Sequence, residues 1–147
     1  MIMVQEGFWT MNRLDFQHLS ELRLNEARTL LLYGCPEGAY YLAGYAVECA
    51  LKACIARRTR EGDFPEKKLV NDSHTHNLKD LLRLAELKDD LEVLLEADST
   101  MQSALDKVLE WAETSRYKRK TNQEAVALLN AIECQEGGLL PWIRRHW

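Results

Sequence analysis

The stretch PEGAYYLAGYAVECALKACIARR, beginning at Pro36, constrains the fold more than any other part of the chain. Ala39, Ala43, Ala46, Ala50 and Ala53 recur at steps of 4, 3, 4 and 3. On a helix of 3.6 residues per turn that spacing makes one seam of small side chains, where a second helix can approach closely. Tyr40, Gly44, Val47, Leu51 and Cys54 form the adjacent stripe with the same steps, and Tyr41, Tyr45, Glu48 and Lys52 the next. A helix apolar nearly all round is a central one, so the pattern predicts a buried helix from about Pro36 to Arg60. A membrane span is the competing explanation, but a short run from Ala39 to Ala56 with Glu48 and Lys52 in its middle makes a poor one.

Composition extends the argument to the whole chain of 147 residues, a length typical of a single domain. There are 24 Leu and 14 Ala against 6 Val and 4 Ile. Leu and Ala lose little side-chain freedom in a helix, whereas β-branched residues suit strands. Seven Gly and three Pro are too few turn residues for a sandwich or barrel. The expected fold is all-α, an antiparallel up-and-down bundle of four to five helices joined by short connections.

The expected layout is a lead-in over 1–19, a bundle over 20–136 and a short tail over 137–147. A first helix is predicted from Ser20, as N-cap, to Tyr33, with Leu24, Ala27 and Leu31 on its apolar face. Gly34-Cys35-Pro36 ends it and opens the central helix. Residues 61–75 read as a polar loop. A third helix follows, with Leu78, Leu81, Leu82 and Ala85 on one side and Ser73, Thr75 or Asn77 as cap. An acidic segment leads to a fourth helix bearing Met101, Leu105, Val108, Leu109 and Ala112. A fifth, about Asn122 to Glu136, carries Ala125, Leu128, Leu129 and Ile132 and stops at Gly137-Gly138. Trp142 and Trp147 in the tail LLPWIRRHW would be costly to leave in water, which predicts that the tail docks.

The net charge of −4 excludes a general polyanion-binding surface, but the charges are unevenly placed. Residues 86–113 hold nine acids against Lys88 and Lys107, and then Arg116, Lys118, Arg119 and Lys120 put four positive charges within five residues. Such a cluster suits a solvated turn or a local phosphate contact. Of the four cysteines, Cys49, Cys54 and Cys134 lie among apolar residues and read as small buried hydrophobes. No CxxC pair or zinc spacing is present, and His74-x-His76 alone is a weak metal signal, so neither metal nor cofactor is expected. The N-terminus lacks the features of a signal peptide, and a reducing cytoplasm is the expected compartment. Glu48 and Lys52, at i, i+4 in the favourable order, are the only charges in the central apolar run. They serve as a helix-stabilising pair or mark a polar site.

Three separated pieces carry a resemblance. The helix AYYLAGYAVECALKACI resembles the characteristic helix of the HEPN family, with Glu48 and Lys52 at its Glu and Lys. HTHNLKDLL resembles that family's His-containing segment and places His76 on its His. ETSRYKRK resembles its Arg-Tyr segment and places Arg116 and Tyr117 there. The pieces occur in the family order and span about residues 20–136. The resemblance implies a helical bundle, a homodimer, and a partner nucleotidyltransferase in a toxin–antitoxin or defence module. It also implies a polar cleft lined by Glu48, Lys52, His76, Arg116 and Tyr117, with Glu48 orienting Arg116 or Lys52.

One departure from the family bears on activity. Its RNA-cleaving members carry Arg, four to six residues, then His in a late helix. Here no His follows Arg116 until His146. Arg13 and His18 match the spacing literally, but such a match is expected about once by chance in a chain of this composition, and it precedes the central helix. The leading expectation is therefore a non-catalytic bundle binding a nucleotide, an RNA end or the partner. Arg116 would contact phosphate, and Tyr117 or Tyr45 would stack on a base. The first alternative is a metal-independent ribonuclease using His76 and Arg116 as catalytic residues. The second is a purely structural dimerisation bundle.

Overall fold

Asn12 starts the first helix. Its side chain accepts a hydrogen bond from the Asp15 backbone N–H at 2.9 Å, and the Asp15 carboxylate accepts one from the Asn12 N–H at 3.0 Å. This reciprocal cap satisfies donors that the first turn leaves without partners. A computed structural model describes residues 11–59 and 63–147. Among them are α1 (Arg13–Leu32), α2 (Pro36–Arg58), α3 (Lys67–Asp72), α4 (Leu78–Leu84), α5 (Lys88–Ala97) and α6 (Thr100–Leu109). A 3-10 turn (Glu113–Tyr117), α7 (Asn122–Glu133) and α8 (Leu139–Arg144) follow. The described residues form no strand, so the class is all-α as expected.

The helix count is higher than the four to five expected, because the later apolar runs are broken at caps the periodicity does not show. Residues 67–72 of the expected loop wind into α3. The acidic segment is a full helix, α5, separated from α6 by Asp98 and Ser99. There Asp98 accepts hydrogen bonds from the Thr100 N–H and hydroxyl at 2.9 and 2.6 Å. α1 begins seven residues before the predicted Ser20, so the expected lead-in contributes residues 13–19 to it, while residues 1–10 of the lead-in lie outside the described residues.

The long helices α1 and α2 run antiparallel. Gly34, at φ 75°, turns the chain between them in a conformation that glycine adopts without strain. All five alanines of the predicted seam are fully buried, and Leu24 and Ala27 of α1 lie buried in the same core. Ser20 is a crossing contact and not a cap: its hydroxyl, fully buried, donates to the Ala46 carbonyl at 2.7 Å. The second stripe of α2 faces the remaining helices, and α2 packs on α4, α7, α8 and the 3-10 turn. Gly44 lets Trp111 lie directly on the helix, since a Cβ there would stand 2.3 Å from the indole ring.

The tail folds as α8 onto its own bundle, burying Leu139, Leu140, Trp142 and Ile143. Cys134, expected inside, is exposed because it is the C-cap of α7 and not part of its apolar face. Ala112 is also exposed; α6 ends at Leu109, and Trp111 takes the inward position instead. No helix among the described residues is long and apolar enough to cross a membrane.

Candidate functional site

Glu48 occupies the third stripe of α2, yet it is only 1% exposed because α4 closes over it. A buried carboxylate needs partners to offset its lost hydration. It has two. Lys52 Nζ, one turn on, lies 3.3 Å from Oε2, and His76 Nδ1 lies 3.0 and 3.1 Å from the two oxygens. A carboxylate ion only accepts hydrogen bonds, so Nδ1 is the donor and the other ring nitrogen is left to face outward.

His76 is placed by the start of α4. Asn77, one of the three predicted caps, accepts from the Asp80 N–H at 3.2 Å, and Thr75 accepts from the Asn77 N–H at 3.1 Å. The imidazole is therefore held on the rim of the bundle with its side chain 44% exposed. Its Nε2 lies 3.7 Å from Oε2 of Glu113, whose other oxygen lies 3.6 Å from the Arg116 guanidinium. The result is a chain of alternating groups, Lys52–Glu48–His76–Glu113–Arg116, contributed by α2, the α4 entrance and the 3-10 turn.

The 3-10 turn holds its shape through Ser115, which is buried and whose hydroxyl accepts from the Ala112 N–H at 3.1 Å. Arg116 lies over the Tyr117 ring at 4.8 Å. The Tyr117 hydroxyl beside it is the main reason its guanidinium is held above the ordinary arginine range, with Tyr41 and Glu113 adding. The Tyr117 ring is 76% exposed. A cationic group lying on an accessible aromatic ring suits a phosphate next to a base.

Glu48, Lys52 and His76 are thus brought together through hydrogen bonds, Arg116 joins them through Glu113 at 3.6–3.7 Å, and Tyr117 adjoins them through Arg116. The expected single cleft is not found. Glu48 and Lys52 line a groove of about 570 Å³ between α1, α2 and α3. His76 and Glu113 line a second cleft of about 590 Å³. Arg116 and Tyr117 lie outside both linings. Glu48 orients Lys52 as expected, but the carboxylate beside Arg116 is Glu113.

Glu113 and Trp111 were missed by sequence reasoning. Glu113 opens the same ETSRYKRK segment that carries Arg116, but it reads there as the last of nine acids. Trp111 is in phase with Ala104 and Val108, a signal that could have found it, but it lies past the end of α6 and is followed by that polar segment. His74 lines the α1–α2–α3 groove and His76 the other cleft, so the pair does not converge. Among the described residues no three metal-ligating side chains cluster. Arg13 and His18 lie exposed on α1, with Arg13 donating to the Trp147 carbonyl at 2.5 Å. No protein-family model, no curated protein and no solved structure matches the chain.

Proposed function

We propose that this chain is a HEPN-like helical bundle that binds a nucleotide or an RNA end without cleaving it. Its setting would be a toxin–antitoxin or defence module, with a nucleotidyltransferase as partner. The observation that carries the reading is the series of polar contacts from Lys52 to Arg116, because it joins all three segments on which the family resemblance rests. Arg116 and the exposed Tyr117 form its outer end, where a phosphate and a base have access. Cleavage without a metal needs one group to take the 2′-hydroxyl proton and another to protonate the leaving oxygen. Histidine is the side chain best suited to both tasks near neutrality, and this chain of contacts contains one, His76.

The test is a thermal-shift series with nucleotides and short RNAs. A ligand present at 100 times its Kd adds ~2.7 kcal/mol of stability, and the shift should vanish in Arg116→Ala. No shift of the wild-type chain with any of them overturns the reading.

One observation favours the ribonuclease alternative. A carboxylate that fixes Nδ1 and presents Nε2 to a cleft is how a general base is oriented, and Glu113 stands ready as a second proton-handling group. On that reading the purified chain cleaves RNA in the presence of a chelator, and His76→Ala abolishes the cleavage.

A further inference from the structure

Tyr41, Tyr45, Glu48 and Lys52 share one face of α2, and its first two members are half-buried rings. Tyr41 and Tyr45 are near-parallel, 16° apart in plane with centroids 6.2 Å apart. Trp111 continues the row beside Tyr41 at 6.0 Å and 26°. Trp111 is buried and its indole N–H donates to the Tyr41 carbonyl at 3.2 Å, which anchors the row to the helix. The two tyrosines are one turn apart, about 6 Å along the axis.

Two arginines flank the row. Arg23 of α1 lies 5.9 Å from the centre of the Tyr45 ring, and Arg116 lies 4.8 Å from the centre of the Tyr117 ring on the 3-10 turn that packs against α2. Lys52 lies further along the same face. The neighbouring cleft has the opposite character, since Glu110 and Glu113 outnumber Lys79 among its lining charges. A phosphate backbone is disfavoured there.

We infer that this face is the path of a single RNA strand, with bases against Tyr117, Tyr41 and Tyr45 and phosphates at Arg116 and Arg23. The inference rests on the proposed function above and specifies its ligand as a strand of several nucleotides, not a free nucleotide. An aromatic row flanked by cations suits such a strand because every base offers a face for stacking, whatever its sequence. Glu26 holds Arg23 at 2.7 Å, and Glu113 holds Arg116 more loosely at 3.6 Å, so both arginines are positioned and remain on the surface.

The experiment compares AMP with a fluorescently labelled hexanucleotide RNA, using wild-type chain, Tyr45→Leu and Arg23→Gln, each checked for helical content. The hexanucleotide should bind wild type roughly tenfold tighter than AMP or better, both variants should weaken the hexanucleotide, and Arg23→Gln should leave AMP unchanged. The slope of log affinity against log salt should fall by about 0.7 in Arg23→Gln. Arg23 is a surface residue, so its variant still decides the matter if Tyr45→Leu fails to fold. Equal affinity for AMP and the hexanucleotide, or unchanged hexanucleotide binding in Arg23→Gln, overturns the strand path and leaves the nucleotide site standing. If wild type binds neither, both readings fall.

Discussion

The imidazole Nδ1 of His76 lies 3.0 Å from Oε1 of Glu48, linking the α4 entrance to the middle of α2 across 28 residues of chain. That contact gives a buried carboxylate a partner from outside its own helix. Stability and site geometry are therefore coupled through one side chain.

Glu48→Ala should lower the unfolding free energy by ~3–5 kcal/mol, because it leaves the largely buried Lys52 without its partner. His76→Ala should cost less, since that ring is half exposed. Urea denaturation measures both. A loss below about 1 kcal/mol in Glu48→Ala, the range of exposed pairs, would contradict the role of Glu48 as a buried anchor.

Gly44→Ala tests the approach of Trp111 to α2. The added methyl would fall 2.3 Å from three atoms of the indole ring, so the ring has to move. Overpacking of this kind costs ~1–3 kcal/mol, and the displaced indole should alter the near-ultraviolet circular dichroism. An unchanged spectrum with unchanged stability would refute the packing described.

The cysteines should divide into two classes. Cys35 and Cys134 are exposed, whereas burial pushes the Cys49 and Cys54 thiols up to about 12. Two thiols should react quickly with a disulfide reagent in the native chain and the other two only after denaturation. The same shifts set a pH dependence. Both folded-state values lie above the ordinary thiol value of 9.0, so their contribution is intact below pH 9.0 and is lost as pH rises towards about 12. Cys49→Ala should flatten that alkaline decline.

Thr121 caps α7 by accepting from the Glu124 N–H at 3.1 Å, while Glu124 accepts in return from the Thr121 N–H at 3.4 Å. Thr121→Ala should cost about 1 kcal/mol. The returned backbone bond holds the Glu124 carboxyl below its usual range, with Lys120 helping. Its contribution is present above the ordinary carboxylate range and is lost as pH falls below it; the variant keeps the backbone N–H, so both chains should lose stability together in acid. Parallel acid titrations of stability would check this.

The alanine seam of α2 was legible because side-chain period on a helix is local geometry, and all five positions are buried as their spacing implies. Asn77 was legible only as one of three candidate caps, with Ser73 and Thr75. The start of α1 was missed although Asn12 and Asp15 have capping-box spacing. Its first turns are exposed, with Leu14 on the surface, and offer no apolar period to follow. Ser20 looks like a cap in isolation, but the hydroxyl serves a carbonyl of the neighbouring helix. Cys134 sits in an apolar-looking stretch, yet it falls past the last turn of α7 and turns outward.

Helix class, the central position of α2 and the identity of its two anomalous charges follow from neighbours within one or two turns, so the linear order of residues carries them. Which carboxylate faces which cation does not follow in that way. Arg116 lies beside Glu113 and not Glu48 because the 3-10 turn sets its direction, and His76 reaches Glu48 because α4 packs across α2. The His76–Glu48 pairing joins segments far apart in the chain, and the Glu113–Arg116 pair meets it only where the 3-10 turn packs on α2. They are decided by how the helices pack around Trp111 and the alanine seam, where a few ångströms of approach determine whether a charge is paired, buried or left in water.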